Sequence, residues 1–383
     1  MKKEDITGMI VYILILGLAI VFGLTVLQEY SKSIHMKQGE FILLVVGALA
    51  TGVVFNSVLY ELAHMLGAKI GRYDILSVNI LGICFYKAEG RTKIKFSAFD
   101  GLTGETKINP KKDAEKEPNP TPYLLFGTLF YVVEIIAVVL AFSFLTAVKN
   151  LTLNNVGYFL LIVGALGGLI LLYNIMPFKL DSINDGYRLT MTTNAKNKIA
   201  FNELLRVENA IAAGDSEIEI KTFDQITNFT AELNLNKVYL LLEEKKYKEA
   251  EELLDIILGG KTELTPKVYI RARAQKIYIN LVTKSLEDAK EFYEKEVDVQ
   301  ERREISNDIS MPSIRTYILM AGLLDKSRSE TVLALNKVLK AYKKTPKKRQ
   351  KIEMKLYNEA LNMVIEAHPT WELEGYILVD TEV

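Results

Sequence analysis

Residues 41–68 read FILLVVGALATGVVFNSVLYELAHMLGA, and the fold class follows from that stretch. Its apolar part matches the ~20 residues that a helix needs to cross a bilayer, where only a helix satisfies every backbone polar group inside one segment. The run does not stop where polar residues begin. Glu61 and His64 continue it three positions apart, so on a helix they share a face. Ionisable groups at such a place are costly unless they pair or work, so a functional site is expected at this helix end.

Three more apolar stretches frame this one. With it they give spans at about residues 6–27, 41–65, 123–148 and 156–177. The first follows the basic start MKKED, but it is longer than the ~7–15-residue core of a signal peptide and reads as a retained helix. An even number of spans puts both termini and the loop at 70–121 on one side. That loop carries Lys87, Arg91, Lys93, Lys95, Lys107 and Lys111, against Lys32, Lys37 and Lys149 on the other side. The basic side is expected to face the cytoplasm. The chain therefore reads as a multi-pass protein of the cell membrane, and the ends of the second and fourth spans meet on its cytoplasmic side.

The 383 residues hold 47 basic and 47 acidic side chains, a balance that gives no electrostatic case for nucleic acid as a partner. A lone cysteine, Cys84, excludes both a disulfide framework and a cysteine metal cluster. The histidines are His35, His64 and His368. Any zinc site must be built from few imidazoles.

Within the loop, YDILSVNI (73–80), GICFYK (82–87) and TKIKFSAF (92–99) are rich in β-branched and aromatic residues and are broken by Gly82, Gly90 and Gly101, which reads as strands. The polar, proline-rich TGETKINPKKDAEKEPNPTP (103–122) reads as a surface segment. Such a sheet either connects the spans or offers an edge that pairs with an extended peptide. In the third span, Glu134 lies within FYVVEIIAVVL and must be protonated, paired or turned to a polar cavity. A hydrogen bond to a neighbouring helix is the plain reading, and a replacement metal ligand is the sharper one. The fourth span runs out through Asn174 and Pro177 into Asp181 and Asp185-Gly186, where proline stops a helix and Asn-Asp-Gly makes a turn.

Beyond residue 190 the chain becomes charged and helical. Residues 235–258, 266–297 and 314–344 each read as helix, turn and helix, and YKEAEELLD aligns with LEDAKEFYE and SETVLALNK. Irregular helical hairpins of this size resemble tetratricopeptide repeats, which stack into a solenoid that binds other proteins. The fold class is thus mainly α. A membrane bundle of about four helices with a small β insertion fills 1–190, and a soluble, cytoplasmic helical-repeat region fills 191–383.

Counting back four from His64 lands on Tyr60, which gives Y-E-L-A-H. In H-E-x-x-H two imidazoles one turn apart grip zinc, and the glutamate acts as general base on the metal-bound water. Together with the Asn174, Pro177 and Asp185-Gly186 segment and the strand-rich loop between them, this pattern resembles the site-2 proteases, the M50 family of intramembrane zinc metalloproteases. The resemblance covers about residues 40–190. It implies zinc as cofactor, Glu61 as general base, His64 and Asp185 as ligands, and Asn174 as a contact to substrate or transition state. Asp181 stands second to Asp185 for the aspartate. Tyr60 is the departure, since it occupies the place of the first histidine, and a substitute ligand would have to be Tyr60, Glu134 or Asp181. Two functions follow. One is a zinc protease with an unusual ligand set, acting on a membrane-spanning or membrane-docked peptide. The other is a non-catalytic relative that holds such a client and recruits a protein partner through its repeats.

Overall fold

A computed structural model describes residues 3–33, 37–88, 90–97, 104–111, 116–148, 150–177, 183–214 and 218–379. The chain divides into two compact units, Met1–Asn202 and Glu203–Val383, a little beyond the boundary read from the sequence.

In the first unit, helix α1 (Lys3–Phe22) passes through a π turn at Gly23–Leu27 into α2 (Gln28–Ser33), and α3 (Gln38–Ile70) follows. A four-stranded sheet comes next, with β1 (Tyr73–Ile80), β2 (Ile83–Ala88), β3 (Arg91–Phe96) and β4 (Gly104–Pro110), before α4 (Pro120–Ala147), α5 (Leu151–Ile175) and α6 (Asp185–Thr192); α7 (Ala195–Ala213) begins in this unit and ends in the second. Four helices are long and apolar enough to cross a membrane: the one through Ile13–Tyr30, α3, α4 and α5. Their outward faces stay apolar, as at Leu43, Val133, Leu140 and Phe144, which are all exposed. Such a face suits hydrocarbon rather than water. Inward, small residues mark the close contacts. Gly52 of α3 lies against Leu166 and Gly164 of α5 against Val138, so the backbones approach closely.

The helix ends are set by local chemistry. Past Gly71, Arg72 adopts φ 66°, a left-handed turn that ends α3 and launches β1. The Asn119 side chain accepts from Thr121 N with Pro120 in the first turn of α4, and the Asn150 side chain accepts from Leu153 N at α5; both are side-chain N-caps. Gly67 marks a close crossing of α3 and α4, where a Cβ would lie 2.3 Å from the carbonyl oxygen of Pro122 and 2.9 Å from the Cα of Tyr123. Gly67→Ala should push these helices apart and destabilise the bundle by about 1–3 kcal/mol, the usual range for overpacking. Thermal unfolding in detergent measures it, and an unchanged Tm would refute this close crossing.

The sheet is antiparallel throughout, in the order β3-β2-β1-β4. Leu81 and Gly82, with φ 50° and 91°, form a two-residue turn of the kind that matches strand twist. Three strands lie where the alternation places them. The fourth corrects the sequence reading of 103–122 as a surface segment, because residues 104–110 pair with β1 along its whole length. Thr106 and Ile108 are its buried positions, and a buried threonine in a polar strand leaves little apolar alternation to read. The edge on the other side, β3, is exposed at every residue.

The second unit is helical: α8 (Asn228–Glu243), α9 (Tyr247–Gly259), α10 (Pro266–Thr283), α11 (Leu286–Glu296), α12 (Val299–Asn307), α13 (Met311–Leu319), α14 (Arg328–Lys344) and α15 (Lys347–Ala367). The three hairpins expected from the sequence are α8–α9, α10–α11 and α13–α14. Lys245 and Lys326 turn the first and third with φ 58° and 50°. Thr227, Thr265, Ser285 and Ser327 cap α8, α10, α11 and α14 through side-chain oxygens, the residue types that satisfy free N–H groups best. Helix α12 interrupts the repetition, and α15 packs on α13. Within a largely aliphatic and aromatic core, Arg315 is fully buried; it pairs with Glu353, bonds Gln275 and lies over the Tyr278 ring. Burial raises the Glu353 carboxyl pKa, against the opposing charge and hydrogen bond of Arg315. His368 stacks on Trp371 at 4.0 Å and its Nε2 lies 2.9 Å from Gly322 O, an ordinary structural role.

Candidate functional site

Helices α3, α4 and α6 and strand β4 converge where the second and fourth spans end. Tyr60, Glu61 and His64 emerge from the last turns of α3 and are all buried. Asp185 opens α6. Its position is fixed by Asn184, whose side-chain oxygen accepts from Tyr187 N while its Nδ2 donates to Tyr173 O and Met176 O at 2.6 and 2.7 Å. One side chain thus caps α6 and ties it to the end of α5. Gly186 makes this approach feasible, since a Cβ there would stand 2.5 Å from Asn174 O. The Asn-Asp-Gly sequence is therefore a device that delivers Asp185 to α3.

The Tyr60 hydroxyl donates to Asp185 Oδ2, and His64 Nε2 lies 3.2 Å from the same oxygen. Arg188 reaches Oδ1 of that carboxylate at 3.6 Å. Burial opposes ionisation of the Asp185 carboxyl, but the charge and hydrogen bond of His64, the Arg188 charge and the Tyr60 hydrogen bond outweigh it and lower the pKa to about 2. The imidazole packs edge-on to Tyr60 at 4.4 Å and near Tyr123 at 4.8 Å. Its Nδ1 is buried with no hydrogen-bond partner among the described residues. Glu61 turns toward the sheet, where its Oε2 accepts from Thr106 Oγ1 at 2.6 Å, and Tyr123 donates to Thr106 O at 2.9 Å. Gly127 leaves room for the Tyr60 ring, which also stacks on Tyr131 at 5.5 Å.

The donor set can be tested against zinc. Two ligands at ~2.0–2.1 Å from a tetrahedral ion stand a little over 3 Å apart, which the His64 to Asp185 distance satisfies. Tyr60 does not fit. Its oxygen is within a direct hydrogen bond of Asp185, so a proton joins the two groups that would have to share the ion. Among the described residues no group of three or more His, Cys, Asp or Glu side chains is placed to hold a metal. As arranged, these residues form a hydrogen-bonded centre and do not fit a zinc site.

The structure brings together Tyr60, Glu61, His64 and Asp185, as the sequence places them. Asp181 and His35 fall outside the described residues. Asn174 is buried, but its Nδ2 donates back to Ile170 O at 3.1 Å, so its amide N–H serves its own helix. Glu134 lies deeper in the bundle beside Asn56 and Gly167. Thr106, Tyr123 and Arg188 escape sequence reasoning. Arg188 alone carried a signal, at three residues from Asp185 on a short helix. No known family, curated protein or solved structure matches the chain.

Proposed function

We propose that this chain is a membrane-embedded, non-catalytic relative of the site-2 proteases, which holds a membrane-spanning or membrane-docked peptide and recruits a protein partner through tetratricopeptide-like hairpins on the cytoplasmic side. The hydrogen bond from Tyr60 to Asp185 carries this reading. It closes the centre with a proton where the protease chemistry needs an ion with an open position for water. Glu61 is likewise held by a threonine hydroxyl. The centre serves as a polar clasp that locks α6 onto α3. Glu61→Gln should therefore leave membrane clients uncut and unchanged in amount, whereas a protease so altered accumulates its uncut substrate. Immunoblotting of tagged membrane peptides distinguishes the two.

The exposed edge β3 suits an extended client. Ser97 N donates to Gly82 O at 2.9 Å, which sets the alternation of the ladder. The amides of Thr92, Ile94 and Phe96 then face outward. Ile94→Pro or Phe96→Pro should lower peptide adducts, trapped by a photoreactive side chain at Lys93, by about fivefold per main-chain bond lost, since each is worth about 1 kcal/mol. Adduct yields unchanged in both variants would count against strand pairing.

A further inference from the structure

A second polar cluster lies deeper in the bundle, about one helical turn beyond the clasp along α3. Asn56 on α3 is fully buried and Glu134 on α4 is 8% exposed. The Asn56 amide donates both hydrogens to main-chain oxygens, Gly52 O at 2.8 Å and Val163 O at 3.0 Å. That fixes its orientation, because a flipped amide would point oxygen at oxygen. Its Oδ1 is turned toward Gly167 on α5, as is the Glu134 carboxylate. A Cβ on Gly167 would lie 2.6 Å from Asn56 Oδ1 and 2.6 Å from Glu134 Oε2, so the two oxygens are no further apart than twice that distance.

Neither Asn56 Oδ1 nor either Glu134 oxygen accepts a hydrogen bond from any described residue. The nearby Tyr131 hydroxyl is already engaged, donating to Asn56 O at 2.9 Å. Tyr60 is stacked on Tyr131 and donates to Asp185. Helix α5 presents only glycine and aliphatic side chains around Gly167, and within the spans of α3, α4 and α5 there is no lysine or arginine before Lys69. Three acceptors therefore lie together at membrane depth with no donor and no counter-charge among the described residues, an arrangement that costs free energy until a proton or cation joins it. Hard cations such as Mg2+ and Ca2+ take about six or more oxygens, and three side-chain oxygens are offered. A proton needs one carboxyl and one acceptor.

We propose that Glu134 is a proton-binding site, held as the neutral carboxylic acid, with Asn56 Oδ1, turned toward the same glycine, as the acceptor beside it. Gly167 admits both oxygens because it carries no side chain, and a Cβ there would meet each of them at 2.6 Å. This inference does not depend on whether the Tyr60 centre is catalytic.

Infrared spectroscopy of the full chain in lipid nanodiscs tests it. At neutral pH a carbonyl band of a protonated carboxyl should be present, should shift in D2O, and should be lost in Glu134→Gln. Absence of that band from the parent, or its persistence in Glu134→Gln, overturns the proposal. Thermal unfolding supplies the second arm. Glu134→Gln carries its own amide donor for Asn56 Oδ1 and should melt near the parent, whereas Glu134→Leu and Gly167→Ala should both melt lower. A Glu134→Leu protein at least as stable as Glu134→Gln overturns the proposal. So does a parent whose stability rises with sodium or potassium but not with choline, since the guest would then be a metal cation.

Discussion

Asp185→Ala is expected to cost the membrane unit about 3–5 kcal/mol, the range for removing one partner of a buried charged pair. The carboxylate is the shared acceptor of the Tyr60 hydroxyl and His64, and it opens the helix that Asn184 ties to α5. Its loss leaves two buried donors on α3 without their acceptor and frees α6. Acid should imitate the substitution. The Asp185 pKa is lowered to about 2, so its contribution is fully present above the ordinary carboxylate range and is lost as pH falls from about 4 through about 2. Asp185→Asn retains an acceptor oxygen without the charge. It should fall between parent and alanine variant and should lack that carboxyl's share of the acid dependence. Thermal unfolding in detergent across this pH window gives both readings, and an Asp185→Ala protein as stable as the parent would remove the clasp from the account.

Tyr60→His should have the opposite kind of effect, the gain of a metal. The new imidazole would stand one helical turn from His64, and with the phenol gone Asp185 Oδ2 is released from its hydrogen bond. Two imidazoles and a carboxylate are the ligand set of a zinc site that keeps an open position. The variant should bind about one zinc per chain and hold it at least ~100-fold more tightly than the parent. Even an outer-shell contact is worth 10–100-fold in metal affinity, and this change restores a direct ligand. Any peptide hydrolysis that appears should disappear again on adding Glu61→Gln. Titration with a competing chelator measures the affinity. No gain over the parent would mean that α3 and α6 do not present these groups to a common point.

Much of this architecture is legible in the sequence because it is written in periodicity. The four apolar helices, the strands at 73–96 and the three hairpins of the second unit all announce themselves through spacing and through glycine, proline or capping residues. What escapes is carried by single polar residues and by long-range contacts. β4 is hidden because its inward positions are Thr106 and Ile108 in a run that ends in proline. Helix α12, VQERREISN, has only Ile305 deeply buried among its apolar residues, so its pattern is too short to register.

At the site, spacing places Tyr60, Glu61 and His64 on one helix end and brings Asp185 to the same side. It cannot say that the phenol would donate to that aspartate. Nor can it say that a threonine 45 residues from Glu61 would hold the glutamate, since neither contact is local in the chain. Asn56 lies one turn before Tyr60 and belongs to the same face, which is the signal that counting by fours along α3 offers.

On the function proposed above, hydrogen bonds rather than a metal ion hold Tyr60, His64 and Asp185 together. The zinc content of the full chain, purified in mild detergent without chelator, tests it most directly. Well under one zinc per chain is predicted, with no further fall in His64→Ala or Asp185→Ala. About one zinc per parent chain, lost in either variant, would contradict it.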